Sequence, residues 1–218
     1  MVKKLCSPRC IYKQASFIMF NKLKGGAMKL HIYLFRHGQT FYNRDKIFTG
    51  WKESRLTPLG IRQARIVAHK LKNKKIDVAF QTELSRSKDT LKEVLKFHPE
   101  CREIITANQM IERGYGTLEG LKHDIIIKKY GEERFDLWHR GFNSSPPKGE
   151  SFAKVEKRVK LFIKSLVTFI KKEKVNVAIS AHGNSIRLFR KIMEKVSVKK
   201  TVEWNIPYDK IFEYTIEV

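Results

Sequence analysis

The sequence predicts an α/β fold, a three-layer sandwich with a mostly parallel central sheet and helices on both faces. Short apolar runs alternate with longer segments whose apolar residues recur at helical spacing, and this alternation begins near residue 30. The 218 residues are enough to bury one core, and no repeat or low-complexity linker divides them. We therefore predict a single domain over residues 28–218.

Five strands are predicted from short apolar runs bounded by polar residues. They are expected at residues 30–35, 76–80, 104–105, 175–181 and 211–218. The last of them alternates apolar and polar residues, as an edge strand does. A helix is predicted to open at Thr57-Pro58, because threonine caps a first turn in which proline loses no hydrogen bond. Further helices are expected around Leu91, from residue 152 and from Ser185.

Two segments fall outside this alternation. Residues 113–150 are rich in glycine and lack a strong period, so we predict a lid-like insertion with a short helix near residues 125–130. Residues 1–27 hold six basic residues and no acidic one. We expect this basic extension to lie outside the fold, because Met28 directly precedes the first strand. It is either an extension upstream of a true start at Met28, which we favour, or a transit peptide.

The charge is strongly positive: 45 Lys and Arg against 22 Asp and Glu leave a net charge of +23. Such a field attracts anions, including small phosphates. Lysines are scattered through every segment, so a lysine-rich proteome or a thermophile's surface explains most of the excess. No nucleic-acid-binding motif is present and no apolar run approaches the roughly 18 residues of a membrane span, so we expect neither partner.

The three cysteines are Cys6, Cys10 and Cys101, an odd number without the spacing of a disulfide framework. Cys6 and Cys10 could clip a metal ion, but no other Cys or His is near them in sequence. We favour free thiols in a reducing compartment. The histidines also lack the spacing of zinc ligands, so we predict no metal site.

Charged side chains follow three of the predicted strands. Arg36-His37 comes after the first strand, Arg86 after the second and His182 after the fourth. Ligands of open α/β sheets bind at the carboxyl ends of the strands, so we expect these side chains to converge. Two arginines and two histidines repel one another unless an anion lies between them. The planar fork of arginine fits the oxygens of a phosphoryl group, which is the ligand we predict.

Within this group His37 is the candidate nucleophile, because a neutral imidazole nitrogen can attack phosphorus. His182 is expected at a helix N-terminus, where it would stabilise the transferring oxygens together with Arg36 and Arg86. Glu112 is the candidate acid that protonates the leaving oxygen, since a carboxyl group beside a bound anion can retain a proton. Taken singly, each of these residues could be structural or lie on the surface. Their joint pattern favours catalysis.

The motifs around these residues are similar to those of a known family. Residues 34–40, with Arg36-His37-Gly38, resemble the opening motif of the histidine phosphatase superfamily, and residues 180–185 resemble its second histidine motif. More narrowly, the chain looks like the phosphoglycerate mutases that depend on 2,3-bisphosphoglycerate. That likeness spans residues 30–218, and its motifs are residues 48–51, 56–60, 112–120, 129–133, 138–142 and 146–147.

The resemblance implies an enzyme that interconverts 3- and 2-phosphoglycerate through a phosphohistidine in glycolysis and gluconeogenesis. It implies 2,3-bisphosphoglycerate as phosphoryl primer, no metal, a small phosphorylated carboxylate as substrate, and a cytoplasmic, often homo-oligomeric protein. The family's catalytic positions fall on Arg36, His37, Arg86, Glu112 and His182. Its substrate-binding positions fall on Asn43, Thr49, Gly50, Tyr115, Arg140, Gly183 and Asn184.

Two positions depart from the mutase pattern. His123 stands where these mutases carry a lysine, and His139 where they carry the first of two arginines. We predict that both still bind the substrate as imidazolium ions favoured by nearby anions, and that this binding weakens as pH rises. A metal-independent phosphatase that transfers the phosphoryl group of a small ester to water stays open as the alternative. A phosphate-sensing protein without turnover is disfavoured, because a nucleophile and an acid are both present.

Overall fold

The computed structural model describes residues 28–218, so the predicted extension of residues 1–27, with Cys6 and Cys10, lies outside the described residues. A single sheet is built from β1 (Lys29–Arg36), β2 (Val78–Gln81), β3 (Glu103–Thr106), β4 (Val177–Ala181) and β5 (Ile211–Glu217). Its strand order is β3-β2-β4-β1-β5. All neighbouring pairs are parallel except β1 and β5, which confirms a mostly parallel sheet with an antiparallel edge.

Eight α-helices connect and cover these strands in the described range. They are α1 (Phe41–Arg44), α2 (Pro58–Leu71), α3 (Ser85–Leu95), α4 (His123–Tyr130), α5 (Glu132–Arg140), α6 (Phe152–Glu173), α7 (Gly183–Glu194) and α8 (Val198–Glu203). The predicted threonine cap is present: the Thr57 hydroxyl accepts a 2.9 Å hydrogen bond from the Gly60 N–H. Helix α7 begins at Gly183 rather than at Ser185, because His182 occupies the capping position.

Both faces of the sheet are covered, which gives the three predicted layers. Along β1, Ile32 and Leu34 pack into a core with apolar residues of α6 and α7, whereas Tyr33 and Phe35 pack into a second core with residues of α2 and α3. Successive side chains of a strand point to opposite faces, so one short apolar run supplies both cores. Because β1 is buried on both faces, its sequence is an almost continuous apolar segment.

The segment predicted as a lid-like insertion carries more structure than expected. It contains α4 and α5, although only one short helix was predicted there. Helix α5 was missed because a single residue of it, Phe135, is buried, so its sequence lacks an apolar stripe. Phe48, Tyr115, Leu118, Ile126 and Phe135 form a separate small core beneath this segment.

The register of the sheet brings the two histidine motifs together. Arg36 of β1 pairs with Ala181 of β4, so both strands end at the same level. The His37 N–H donates a 3.0 Å hydrogen bond to the Ala181 carbonyl. His37 and His182, which lie 145 positions apart in the chain, therefore become neighbours at the carboxyl edge of the sheet.

Candidate active site

A cavity of about 250 Å³ opens where β1 and β4 end. Four of the five predicted catalytic residues line it, and the fifth, His182, is fully buried with its ring centre 5.0 Å from that of His37. The residues predicted to bind substrate all line the same cavity: Asn43, Thr49, Gly50, Tyr115, His123, His139, Arg140, Gly183 and Asn184. The fold thus gathers in one place residues that the sequence spreads over 149 positions.

The backbone carbonyl of the next residue, Gly38, orients the His37 ring. Its Nδ1 lies 2.7 Å from the Gly38 carbonyl oxygen, and a carbonyl can only accept, so Nδ1 carries the proton. The other ring nitrogen, Nε2, then holds a free lone pair. Burial, followed by the charges of Arg86 and Arg36, lowers the pKa of His37 well below its usual value. A neutral imidazole with an available Nε2 is the form that can attack an electrophile.

His182 is held by a residue that the sequence did not single out. Its Nε2 lies 2.8 Å from the buried hydroxyl of Thr82, and its Nδ1 is buried without a hydrogen-bond partner in the described part of the chain. Burial and the nearby charge of Arg86 lower the pKa of His182 well below its usual value, so the ring is neutral. This Nδ1 is therefore able to bond to one polar atom of a ligand beside His37.

Two arginines are fixed against backbone carbonyls beside the histidines. Arg86 donates to the carbonyls of Gly50 and Lys52 at 2.7 and 2.9 Å. Burial lowers its pKa to about 10, which still leaves it charged at neutral pH. Arg36 donates to the Ile206 carbonyl, lies 4.0 Å from the centre of the Tyr208 ring, and leaves its buried Nε without a partner. Both guanidinium groups retain donors for an anion.

Glu112 is buried, with one carboxylate oxygen occupied and the other free. Its Oε1 accepts hydrogen bonds from the backbone N–H groups of Arg113 at 2.8 Å and Asn184 at 3.1 Å. Within residues 28–218, no hydrogen bond reaches Oε2. The Asn184 N–H belongs to the first turn of α7, so the carboxyl group bridges the insertion and the second histidine motif. Oε2 is the atom left to hold a proton.

A buried arginine joins Glu112 to the end of α5. Arg113 is fully buried and donates to the carbonyls of Trp138, His139 and Glu150. Carbonyls in the last turn of a helix have no partner within the helix, so a guanidinium group there stabilises the helix end. Arg113 therefore contacts Glu112 through its backbone N–H and the end of α5, beside His139 and Arg140, through its side chain.

The pKa values of His123 and His139 are both lowered. Burial, followed by the charge of Arg140, lowers the pKa of His139 to about 3. Burial, followed by the charges of Lys46 and Arg140, also lowers the pKa of His123. The prediction of imidazolium binding concerns the substrate complex; in the free protein, burial and the neighbouring cations lower the pKa of both rings. The rings pack as neutral groups against Phe48 and Phe135.

Several lining residues were missed by the sequence analysis. They are Tyr42, Lys46, Ile47, Phe48, Arg187, Asn205 and Tyr208. Arg187 lies on α7 and donates to the Asn184 side chain at 2.6 Å and to the Trp204 carbonyl at 2.8 Å. Its position one helical turn after Gly183-Asn184 was a usable signal, since residues three and four apart share a helix face. Asn205 and Tyr208 follow α8 in a segment without periodicity.

Among residues 28–218, no three His, Cys, Asp or Glu side chains are grouped as metal ligands would be. Across the same residues, no helix combines the length and apolar character that crossing a membrane requires.

Comparisons with known proteins agree with this geometry. The model of the histidine phosphatase superfamily (branch 1) matches residues 32–217. A phosphoglycerate mutase of Schizosaccharomyces pombe is 35% identical over 185 residues, which cover 81% of this chain and 87% of the relative. A 2,3-bisphosphoglycerate-dependent phosphoglycerate mutase of Parvibaculum lavamentivorans is 36% identical over 180 residues, which cover 80% and 85%.

The solved structure of the α-ribazole phosphatase from Shigella flexneri superimposes with a TM-score of 0.72 at 22% identity, covering 84% of this chain and 89% of that one. At this identity the likeness shows the fold alone. The family model and the relatives at 35% and 36% identity show that the chain belongs to the histidine phosphatase superfamily.

Proposed function

We propose that the chain is a 2,3-bisphosphoglycerate-dependent phosphoglycerate mutase that works through a phosphohistidine at His37. The observation that carries the proposal is the state of the paired histidines. His37 is neutral with its Nε2 lone pair free, and the buried Nδ1 of His182 beside it lacks a partner. A phosphoryl group between the two rings would accept attack at phosphorus from the first and a hydrogen bond from the second.

In the first step, His37 Nε2 bonds to phosphorus while the bond from phosphorus to the ester oxygen breaks. The proton on Nδ1 stays in place, bonded to the Gly38 carbonyl, and stabilises the imidazolium that forms. Arg36, Arg86 and the Nδ1–H of His182 donate to the transferring oxygens, whose charge must be balanced throughout. These donors are fixed before the substrate arrives, so they need little reorganisation during the reaction.

Glu112 would donate a proton in the first step and accept one in the second. As the ester bond breaks, the proton on its Oε2 passes to the leaving oxygen, which departs as a hydroxyl group. In the second step the carboxylate takes a proton from the hydroxyl that attacks the phosphohistidine. In a mutase that hydroxyl belongs to the bound phosphoglycerate, and in a phosphatase it belongs to water.

The cavity suits a ligand with two anionic ends. Five Lys or Arg side chains line it against the single carboxylate of Glu112. One phosphoryl group beside the histidines would occupy Arg36 and Arg86, which leaves cations for a second phosphate or a carboxylate. This surplus, together with the mutase names of relatives at 35% and 36% identity, favours 2,3-bisphosphoglycerate as primer and phosphoglycerate as substrate. When bound, the primer supplies the phosphoryl group that charges His37.

A coupled assay tests the proposal. Formation of 2-phosphoglycerate from 3-phosphoglycerate should require catalytic amounts of 2,3-bisphosphoglycerate and should exceed the phosphate released in the same tube. A protein that releases one phosphate for each 3-phosphoglycerate consumed, with no 2-phosphoglycerate formed, would be a phosphatase and not a mutase.

The same assay tests the charge state of His139. In the free protein the pKa of His139 is about 3, so the ring is uncharged at neutral pH before the substrate binds. We expect the ratio of mutase flux to phosphate release to change less than about twofold between about pH 6.5 and pH 8.5. A ratio that falls steeply over this range would mean that an imidazolium binds the substrate after all.

A further inference from the structure

Two of the five cations that line the cavity have no partner in the described part of the chain. Arg36, Arg86 and Arg187 each donate to backbone carbonyls. The side chains of Lys46 and Arg140, by contrast, make neither a hydrogen bond nor an ion pair among residues 28–218. A charged side chain left unpaired in a pocket is available for an anion that the protein itself does not supply.

Lys46 and Arg140 come from separate parts of the fold, but both lie near His123. Lys46 lies in the loop after α1, and its carbonyl accepts a 3.0 Å hydrogen bond from the His123 N–H at the start of α4. Arg140 is the last residue of α5. After burial, the charges of these two residues are the largest causes that lower the pKa of His123, which places both near its ring.

The backbone conformation of Lys46 is shared with other lysines of the chain. Its φ of 52° is left-handed, but Lys148, Lys174 and Lys195 are the other non-glycine residues with positive φ in the described range. Left-handed lysines are therefore common in this lysine-rich chain. What distinguishes Lys46 is that it lines the cavity that contains His37.

We infer that Lys46 joins Arg140 in binding a second anionic group of the substrate, so that a loop lysine supplies a positive charge beside His123. The site selects phosphate esters that also carry a carboxylate or a second phosphate. This inference rests on the proposed phosphoryl chemistry at His37. It assigns a specificity-determining role to a loop lysine that none of the sequence motifs marked.

The site can be tested without turnover by comparing the affinities of two ligands for protein variants with and without the Lys46 side chain. Full-length protein carrying His37→Ala, which cannot accept a phosphoryl group, is titrated calorimetrically with 3-phosphoglycerate and with glycerol 3-phosphate. These ligands differ only by a carboxylate in place of a neutral alcohol group. We expect Lys46→Met to weaken binding of 3-phosphoglycerate about tenfold, since bonds to charged groups contribute on that scale, and binding of glycerol 3-phosphate less than about twofold.

Two variants serve as controls. Lys122→Met removes the same charge next to His123 from a residue that does not line the cavity, and should change neither affinity by more than about twofold. Lys46→Arg should restore most of the preference for 3-phosphoglycerate. The proposed site would be contradicted if Lys46→Met lowered the affinity for both ligands equally or for neither. An equal effect of Lys122→Met would also contradict it. Failure of the mutase proposal would instead appear in the coupled assay, which leaves this binding result intact.

Discussion

Glu112→Gln is expected to slow phosphoryl transfer from phosphoglycerates to His37 by roughly 10² to 10⁴, the usual range for loss of general acid catalysis. The substitution is conservative in shape. The amide oxygen of glutamine can still accept from the N–H groups of Arg113 and Asn184, which now bond to Oε1. What the substitution removes is the carboxyl group that we propose as the proton donor to a basic alkoxide leaving group.

The comparison substrate separates this role from a structural one. p-Nitrophenyl phosphate releases a stable phenolate that needs no proton, so the loss caused by Glu112→Gln should shrink strongly with it. The rates of phosphoenzyme formation from both donors are the measurement, with thermal unfolding as a check on folding. An equal loss with both donors would show that Glu112 binds or supports the site without donating a proton.

Thr82→Val should lower kcat for phosphoryl transfer about 10²-fold while KM changes little, the scale expected when one oriented donor to the transferring oxygens is lost. His182 can donate to phosphate from Nδ1 only in the tautomer whose Nε2 is unprotonated. The hydroxyl of Thr82, 2.8 Å from Nε2, can donate to that nitrogen and so stabilises this tautomer. Valine has the same shape but leaves Nε2 buried without a donor.

Thr82→Ser is the matched control, because it keeps the hydroxyl and removes only a methyl group. It should retain kcat within about threefold of the unsubstituted protein. A serine variant as impaired as the valine variant would point to packing rather than to the tautomer of His182. A valine variant with unchanged kcat would show that the Thr82 hydroxyl does not contribute to catalysis.

Much of the fold could be predicted because its signals are local. The apolar run of β1, the threonine cap of α2 and the long apolar stripe of α6 each depend on a few neighbouring residues. The convergence of His37 and His182 followed from one rule about parallel strands, and the pairing of Arg36 with Ala181 satisfies it. Helix α5 could not be predicted, because only Phe135 in it is buried.

The features of the site that escaped prediction depend on tertiary contacts. Thr82 gains importance only through its contact with His182, 100 positions later in the chain. The neutral state of His139 depends on its burial and on the charge of Arg140, neither of which a motif encodes. Lys46 belongs to a loop that is joined to the segment before α4 by backbone hydrogen bonds, including one donated by the His123 N–H. Sequence motifs therefore indicate the candidate reacting groups more clearly than the residues that adjust their charge and orientation.

Covalent labelling tests the central claim that His37 carries the phosphoryl group. Incubation with ³²P-labelled 2,3-bisphosphoglycerate should give a phosphoprotein that is labile to acid and stable to alkali, as a phosphohistidine is. His37→Ala should abolish the label. His69→Ala, which removes an exposed histidine of α2, should leave the label unchanged. Label that persists on the His37→Ala protein, or a native protein that never becomes labelled, would contradict the account.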